Sequence, residues 1–251
     1  MKKYKYGLVL GGGGTRGFAH LGVLKALRER GIIPDIISGA SAGSIVGALI
    51  ADGKTEDEAF EFFKKKSIFE FSKFRFPRQG FFSLSGLRKN LEEFLSVHNI
   101  EDLSIPLYIS VSNLYTGKAE YLNSGSVSDT VVASSSIPVL FTPVTIKNEL
   151  YVDGGLVDNL PLKPLKDICE YIIVVSLIPV NENHKVNGIR SIISRIAEMV
   201  TNNNLNNEKA DADLIIEPPE LSKYEYLSSK RADKVFEIGY EYTKNIEIPF
   251  L

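Results

Sequence analysis

The chain has 251 residues, with 29 Lys and Arg against 31 Asp and Glu for a net charge of −2, so no basic surplus points to nucleic acid. Its single cysteine, Cys169, excludes a disulfide framework and reads as a small core residue. No apolar run reaches membrane-spanning length, and the first stops after Leu8-Val9-Leu10, short of a signal-peptide core; the expectation is a soluble, cytoplasmic protein with one domain over residues 1–251, long enough to bury a large core.

Residues 6–10 read as a first strand, followed by Gly11-Gly12-Gly13-Gly14-Thr15-Arg16-Gly17. An amphipathic helix follows over residues 18–30, with Phe18, Leu21, Leu24 and Leu27 on one side and Lys25, Arg28, Glu29 and Arg30 on the other. Glycines at a helix entrance leave backbone N–H groups unpaired, so this loop fits an anion, either a phosphate or the oxyanion of acyl transfer. Residues 12–17 also match the dinucleotide fingerprint, which needs an acidic residue about 20 positions on for the ribose. Ile37, Ser38 and Gly39 hold that place, and no Gly-Lys-Ser/Thr follows for a phosphate-binding P-loop. The oxyanion reading gains support from the next strand.

That strand, residues 35–38, runs into Gly39-Ala40-Ser41-Ala42-Gly43 and then a helix over residues 44–53. A serine with glycine two residues away on either side, between strand and helix, is a nucleophile elbow. The turn is too tight for side chains at Gly39 and Gly43, and Ser41 Oγ is expected above the positive end of the following helix. Thr55-Glu56-Asp57-Glu58 is a capping box opening a helix to about residue 66. Nine of the fourteen phenylalanines then fall between Phe60 and Phe82, among Lys64, Lys65, Lys66, Lys73, Arg75 and Arg78. Two compatible readings stand for this cap-like segment, 60–82: a lid with aromatics packed inward, bordering an acyl pocket through Phe81 and Phe82, or a surface making peripheral contact with an anionic membrane.

Ser85 is expected to cap a helix over 86–97, with His98 at its C-terminal end. Residues 107–114 and 118–122 read as strands around Thr116-Gly117. A strand at 150–152 delivers Asp153-Gly154-Gly155, either a solvated turn or a carboxylate aimed at Ser41. The apolar run 171–177 has the character of an interior parallel strand. Helices at 188–200 and 231–245 flank a strand at 213–217. The alternation predicts an α/β protein, a mostly parallel sheet covered on both faces.

In this order, Gly12 to Gly17, Gly39 to Gly43 and Asp153 to Gly155 resemble the GGGxRG, GxSxG and DGG marks of the patatin-like phospholipase family. His20-Leu21-Gly22-Val23-Leu24 and Ala133-Ser134-Ser135-Ser136-Ile137-Pro138 are similar to that family as well, and the likeness runs from about residue 5 to 161. The resemblance implies a three-layer α/β/α fold, a Ser41–Asp153 dyad, and an oxyanion hole from Gly12, Gly13 and Gly14. Arg16 would anchor that loop or lean toward substrate phosphate. It implies hydrolysis of lipid acyl esters without metal or other cofactor. A scaffolding protein with little turnover and an acyltransferase are the alternatives; oligomeric state is not readable. Three histidines, His20, His98 and His184, are candidates for a triad. His184 alone follows Asp153 in the chain order of α/β-hydrolases, but is expected to be dispensable. His20 is expected to support the glycine loop.

Overall fold

The computed structural model describes residues 2–65, 73–74, 82–179, 192, 195–196, 199–200, 211–224 and 231–251. Strands β1 (Tyr4–Leu10), β2 (Ile36–Ala40), β5 (Leu107–Asn113), β9 (Cys169–Val175) and β10 (Leu214–Ile216) form the parallel part of the main sheet, in the order β10-β9-β1-β2-β5. Three antiparallel strands complete it: β6 (Ala119–Leu122) and β8 (Glu149–Asp153) on β5, and β7 (Val144–Ile146) on β8. A separate antiparallel pair joins β3 (Lys73–Phe74) to β4 (Phe82–Ser83).

The register on β5 brings distant parts of the chain together. β2 pairs with β5 up to Ala40↔Ser110, and β8 pairs with it from Asn113↔Tyr151 to Val111↔Asp153. The two strands approach head-on along one edge of β5. One ends just before Ser41, the other on Asp153.

Side-chain alternation along the strands gives two apolar faces. Leu8, Leu10, Ile37, Ile109, Val111 and Val175 join the larger core, with helices α1 (Phe18–Glu29), α2 (Ala42–Ala51), α5 (Val127–Ser134) and α6 (Ala232–Asn245). Val9, Ile36, Ile172 and Val174 pack on the other side against Leu160, Leu162, Leu165 and buried Cys169. The arrangement is the expected three-layer α/β/α sandwich.

Helix α3 (Glu56–Lys65) starts from the capping box: the Thr55 amide donates to Glu58 Oε2 at 2.9 Å and the Glu58 amide to Thr55 Oγ1 at 3.2 Å. Helix α4 (Ser85–Phe94) begins at Ser85 itself and stops three residues before Val97, because the Ser96 and Val97 amides turn to the Asp52 carboxylate. His98 therefore lies beyond the helix, exposed, and not on its dipole. Helix α5 and the β7–β8 hairpin were not legible: α5 is rich in Ser and β-branched residues, and the hairpin turns on Lys147 and Asn148, at φ 49° and 68°, instead of Asn-Gly. Most of the helix expected at 188–200 lies outside the described residues, although positions 192, 195–196 and 199–200 are helical. No helix among the described residues is long and apolar enough to cross a membrane.

Candidate active site

Ser41 sits between β2 and α2 at φ 49°, ψ −121°, a conformation L-residues rarely hold. Close contact imposes it. A Cβ at Gly43 would stand 2.0 Å from the Leu10 carbonyl oxygen, and one at Gly39 would stand 2.6 Å from the Gly43 carbonyl oxygen. Only glycine fits either place. Hydrogen bonds then hold the turn: the Ser41 amide donates to Ser134 Oγ at 2.9 Å, and Ser134 Oγ donates to the Ser110 carbonyl at 2.7 Å. Ser44 Oγ donates to the Ser41 carbonyl at 2.7 Å.

The Ser41 hydroxyl donates to Asp153 Oδ2 at 2.7 Å, across 112 positions of sequence. The second Asp153 oxygen accepts the Gly155 amide at 2.8 Å. Both side chains are buried. Burial raises the Asp153 carboxyl from its ordinary 3.8 to about 6, against the lowering effect of those two hydrogen bonds. A hydroxyl hydrogen-bonded to a carboxylate of moderate basicity, over a helix N-terminus, is set up for proton transfer on attack at a carbonyl carbon.

The glycine loop faces this pair. The Gly13 and Gly14 amides meet no acceptor among the described residues, Gly14 is at φ 57°, and Gly14 borders the same cavity as Ser41. Gly12 differs from the expectation: its amide donates to Asn159 Oδ1 at 3.0 Å and is already committed. Arg16 also differs. Its guanidinium is buried and donates through Nε and Nη2 to the Tyr224 carbonyl at 3.0 and 2.8 Å, with Nη1 3.3 Å from the Leu177 carbonyl. These bonds anchor the loop to the Leu177 and Tyr224 segments.

His20 is fully buried, with Nε2 2.7 Å from the Gly11 carbonyl. A carbonyl only accepts, so Nε2 carries the proton, and burial lowers the ring to about 4, keeping it neutral. His20 supports the loop from beneath. His184 lies outside the described residues.

Sequence reasoning missed Asn159. It follows Asp153 on the same loop and holds Gly12, so it joins the two halves of the site. An asparagine placed before Leu160-Pro161, six residues after the aspartate, was the available signal.

Beside Ser41 lies a small apolar cavity of about 30 Å³, walled by Ile45, Phe62, Phe63, Leu87, Ile137 and Phe141. Phe82 is not on that wall. Its backbone pairs with Leu140 and Thr142, bracing the segment that carries Phe141, and its ring packs against the core. Phe81 lies outside the described residues. Three aromatics of the cap-like segment pack inward: Phe60 and Phe63 meet Phe18, and Phe62 meets Phe94. Lys64 pairs with Asp233 at 2.9 Å. The described residues hold no group of three or more His, Cys, Asp or Glu side chains placed for a metal ion.

The family described as Patatin-like phospholipase matches residues 8–166. Lysophospholipase nte1 of Emericella nidulans is 28% identical over 270 residues, covering 95% of this chain and 18% of that protein. Lysophospholipase nte1 of Aspergillus niger is 28% identical over 271 residues, again 95% of this chain and 18% of the relative. The chain thus spans less than a fifth of the length of these relatives. VipD from Legionella pneumophila shares the fold, with a TM-score of 0.63 at 17% identity over 96% of this chain and 66% of that one. The family match spans well over half of the chain and takes in the glycine loop, the Ser41 turn and the Asp153 loop; the chain belongs to the patatin-like phospholipase family.

Proposed function

We propose that this chain is a serine hydrolase of lipid acyl esters, with lysophospholipids or related esters as substrates. The observation that carries the reading is the 2.7 Å hydrogen bond from Ser41 Oγ to Asp153 Oδ2 at a turn that admits only glycine two residues away on either side. The lysophospholipase relatives support the lipid class, and the apolar wall beside Ser41 supports an acyl group there.

Ser41 Oγ attacks the ester carbonyl carbon as its proton passes to Asp153. The amides of Gly13 and Gly14 hold the oxyanion. Collapse breaks the bond to the alcohol oxygen, which takes the proton from Asp153, and leaves an acyl-Ser41 ester. Water, activated by Asp153, then releases the fatty acid. In other oxyanion holes, loss of one donor lowers kcat by about 10²–10³, so the glycine loop is a large part of the proposed catalyst.

A fluorophosphonate probe tests the reading. Stoichiometric labelling that disappears in Ser41→Ala, together with release of fatty acid from lysophosphatidylcholine, is the expected result. A folded wild-type protein that neither labels nor cleaves would reject it in favour of a non-catalytic scaffold.

A further inference from the structure

Among the residues that border the cavity beside Ser41, one polar side chain stands apart. Ser135 borders that cavity, is 9% exposed, and its hydroxyl has no hydrogen-bond partner among the described residues. Burying an unpaired hydroxyl costs about 1–3 kcal/mol, so such a group in a native protein asks for a partner. Ser38 and Thr243 also have buried hydroxyls without partners, but neither borders this cavity.

The backbone fixes where Ser135 stands. Its neighbour Ser134 holds the Ser41 amide through Oγ, and its other neighbour Ser136 accepts the Asp153 amide on its carbonyl at 3.0 Å. Ser135 is therefore placed between the attachments of nucleophile and base. An ester brings two oxygens into such a site. The carbonyl oxygen has the free amides of Gly13 and Gly14. Besides Ser41, Ser135 is the side-chain donor among the described residues that border this cavity, and so stands available to the alcohol oxygen.

We propose that Ser135 is a further catalytic residue, whose hydroxyl donates a hydrogen bond to the leaving alcohol oxygen of the scissile ester. This rests on the acyl-hydrolase reading above. As the carbon–oxygen bond breaks, negative charge grows on that oxygen until Asp153 returns the proton taken from Ser41. A hydrogen bond there strengthens as the charge develops, so it acts in the transition state. Ser135 itself gives up no proton. The assistance matters for a glycerol or other alkyl alcohol, a poor leaving group, and much less for a phenol.

The test compares Ser135→Ala with wild type on two esters of one fatty acid, a monoacylglycerol and an aryl ester, with Ser135→Thr as the conservative rescue. The loss of kcat/KM on the alkyl ester is expected to exceed that on the aryl ester by about tenfold, the size of one hydrogen bond. Ser135→Thr should restore most of it. The thermal midpoint should hold or rise, since the hydroxyl makes no bond to the described residues. Losses equal on both esters, or none, would overturn the role of Ser135 while leaving Ser41 as nucleophile. If neither ester is cleaved in a manner abolished by Ser41→Ala, the hydrolase reading falls, and this role with it.

Discussion

The Ser41 turn and the glycine loop face one another across a cavity, yet they are held by different means. The turn is fixed by close backbone contact at Gly39 and Gly43 and by serines of the inner core, Ser44 and Ser134. The loop is fixed by side chains that tie it to remote segments. Asn159 reaches Gly12 across 147 positions, and Arg16 reaches Tyr224 across 208; His20 closes it from below through Gly11. Steric exclusion is nearly all-or-none. Hydrogen-bonded tethers fail one at a time. Changes at the turn should therefore abolish function, and changes at the tethers should grade it.

The largest effect follows from removing the reacting pair. Ser41→Ala and Asp153→Asn should each lower kcat for ester hydrolysis by about 10⁴-fold or more, since groups that act as a unit fail together. The double variant should be no worse than the poorer single, which a kinetic double-mutant cycle reads directly. Asn159→Ala should lower kcat by about 10²-fold with a smaller change in KM, because it frees Gly12 and loosens the oxyanion cradle without touching Ser41. Full activity in Asn159→Ala would mean that the loop supports itself, and the contrast between turn and loop would vanish.

The two regions also differed in how far the sequence revealed them. Ser41 and Asp153 could be read because each sits in a short motif whose glycines have a local steric reason. Their meeting could not be derived from spacing; it depends on β2 and β8 approaching head-on along β5, and β8 belongs to a hairpin whose Lys147-Asn148 turn gives no usual signal. Arg16 was visible as a loop residue, but its partners are carbonyl oxygens of Leu177 and Tyr224, and backbone acceptors leave no mark in sequence. Asn159 fell between motifs. Helix α5, which delivers Ser134, is a case of burial overriding weak helix propensity, with only the Ser126 cap on Asp129 as a local cue.

Burial moves one ionisable group in each region, in opposite senses for stability. Asp153 binds its proton up to about pH 6 in the folded protein, against an ordinary 3.8. The native state then holds more protons than the unfolded state, and stability falls as pH rises through that window. His20 stays neutral down to about pH 4, against 6.5. Here the unfolded state holds more protons, and stability rises with pH. The two nearly cancel between pH 4 and 6. Urea titrations should expose each by removing the other. Relative to wild type, Asp153→Asn should gain on the order of 2 kcal/mol between pH 4 and 7, and His20→Gln should lose a similar amount. Activity should follow Asp153 alone, with kcat/KM rising through about pH 6 as the base ionises.

The smallest effect separates strain held for use from strain that is merely tolerated. Val139 shares with Ser41 a positive φ, 70°, but it is 57% exposed and β-branched. It lies between Ile137 and Phe141 of the cavity wall, in a turn closed by the Phe141 amide on the Ile137 carbonyl at 2.8 Å. Val139 is not locked by burial, whereas Ser41 is locked on both sides. Glycine there removes a penalty of about 1–2 kcal/mol for a left-handed residue. It adds about 0.5–1 kcal/mol of unfolded-chain entropy. Val139→Gly should therefore stabilise the protein by about 0.5–1 kcal/mol in thermal melts, with kcat unaltered if the wall depends on Ile137 and Phe141. A loss of activity in this better-folded variant would show that the valine side chain meets the substrate, and that the strain at the cavity mouth is functional as it is at Ser41.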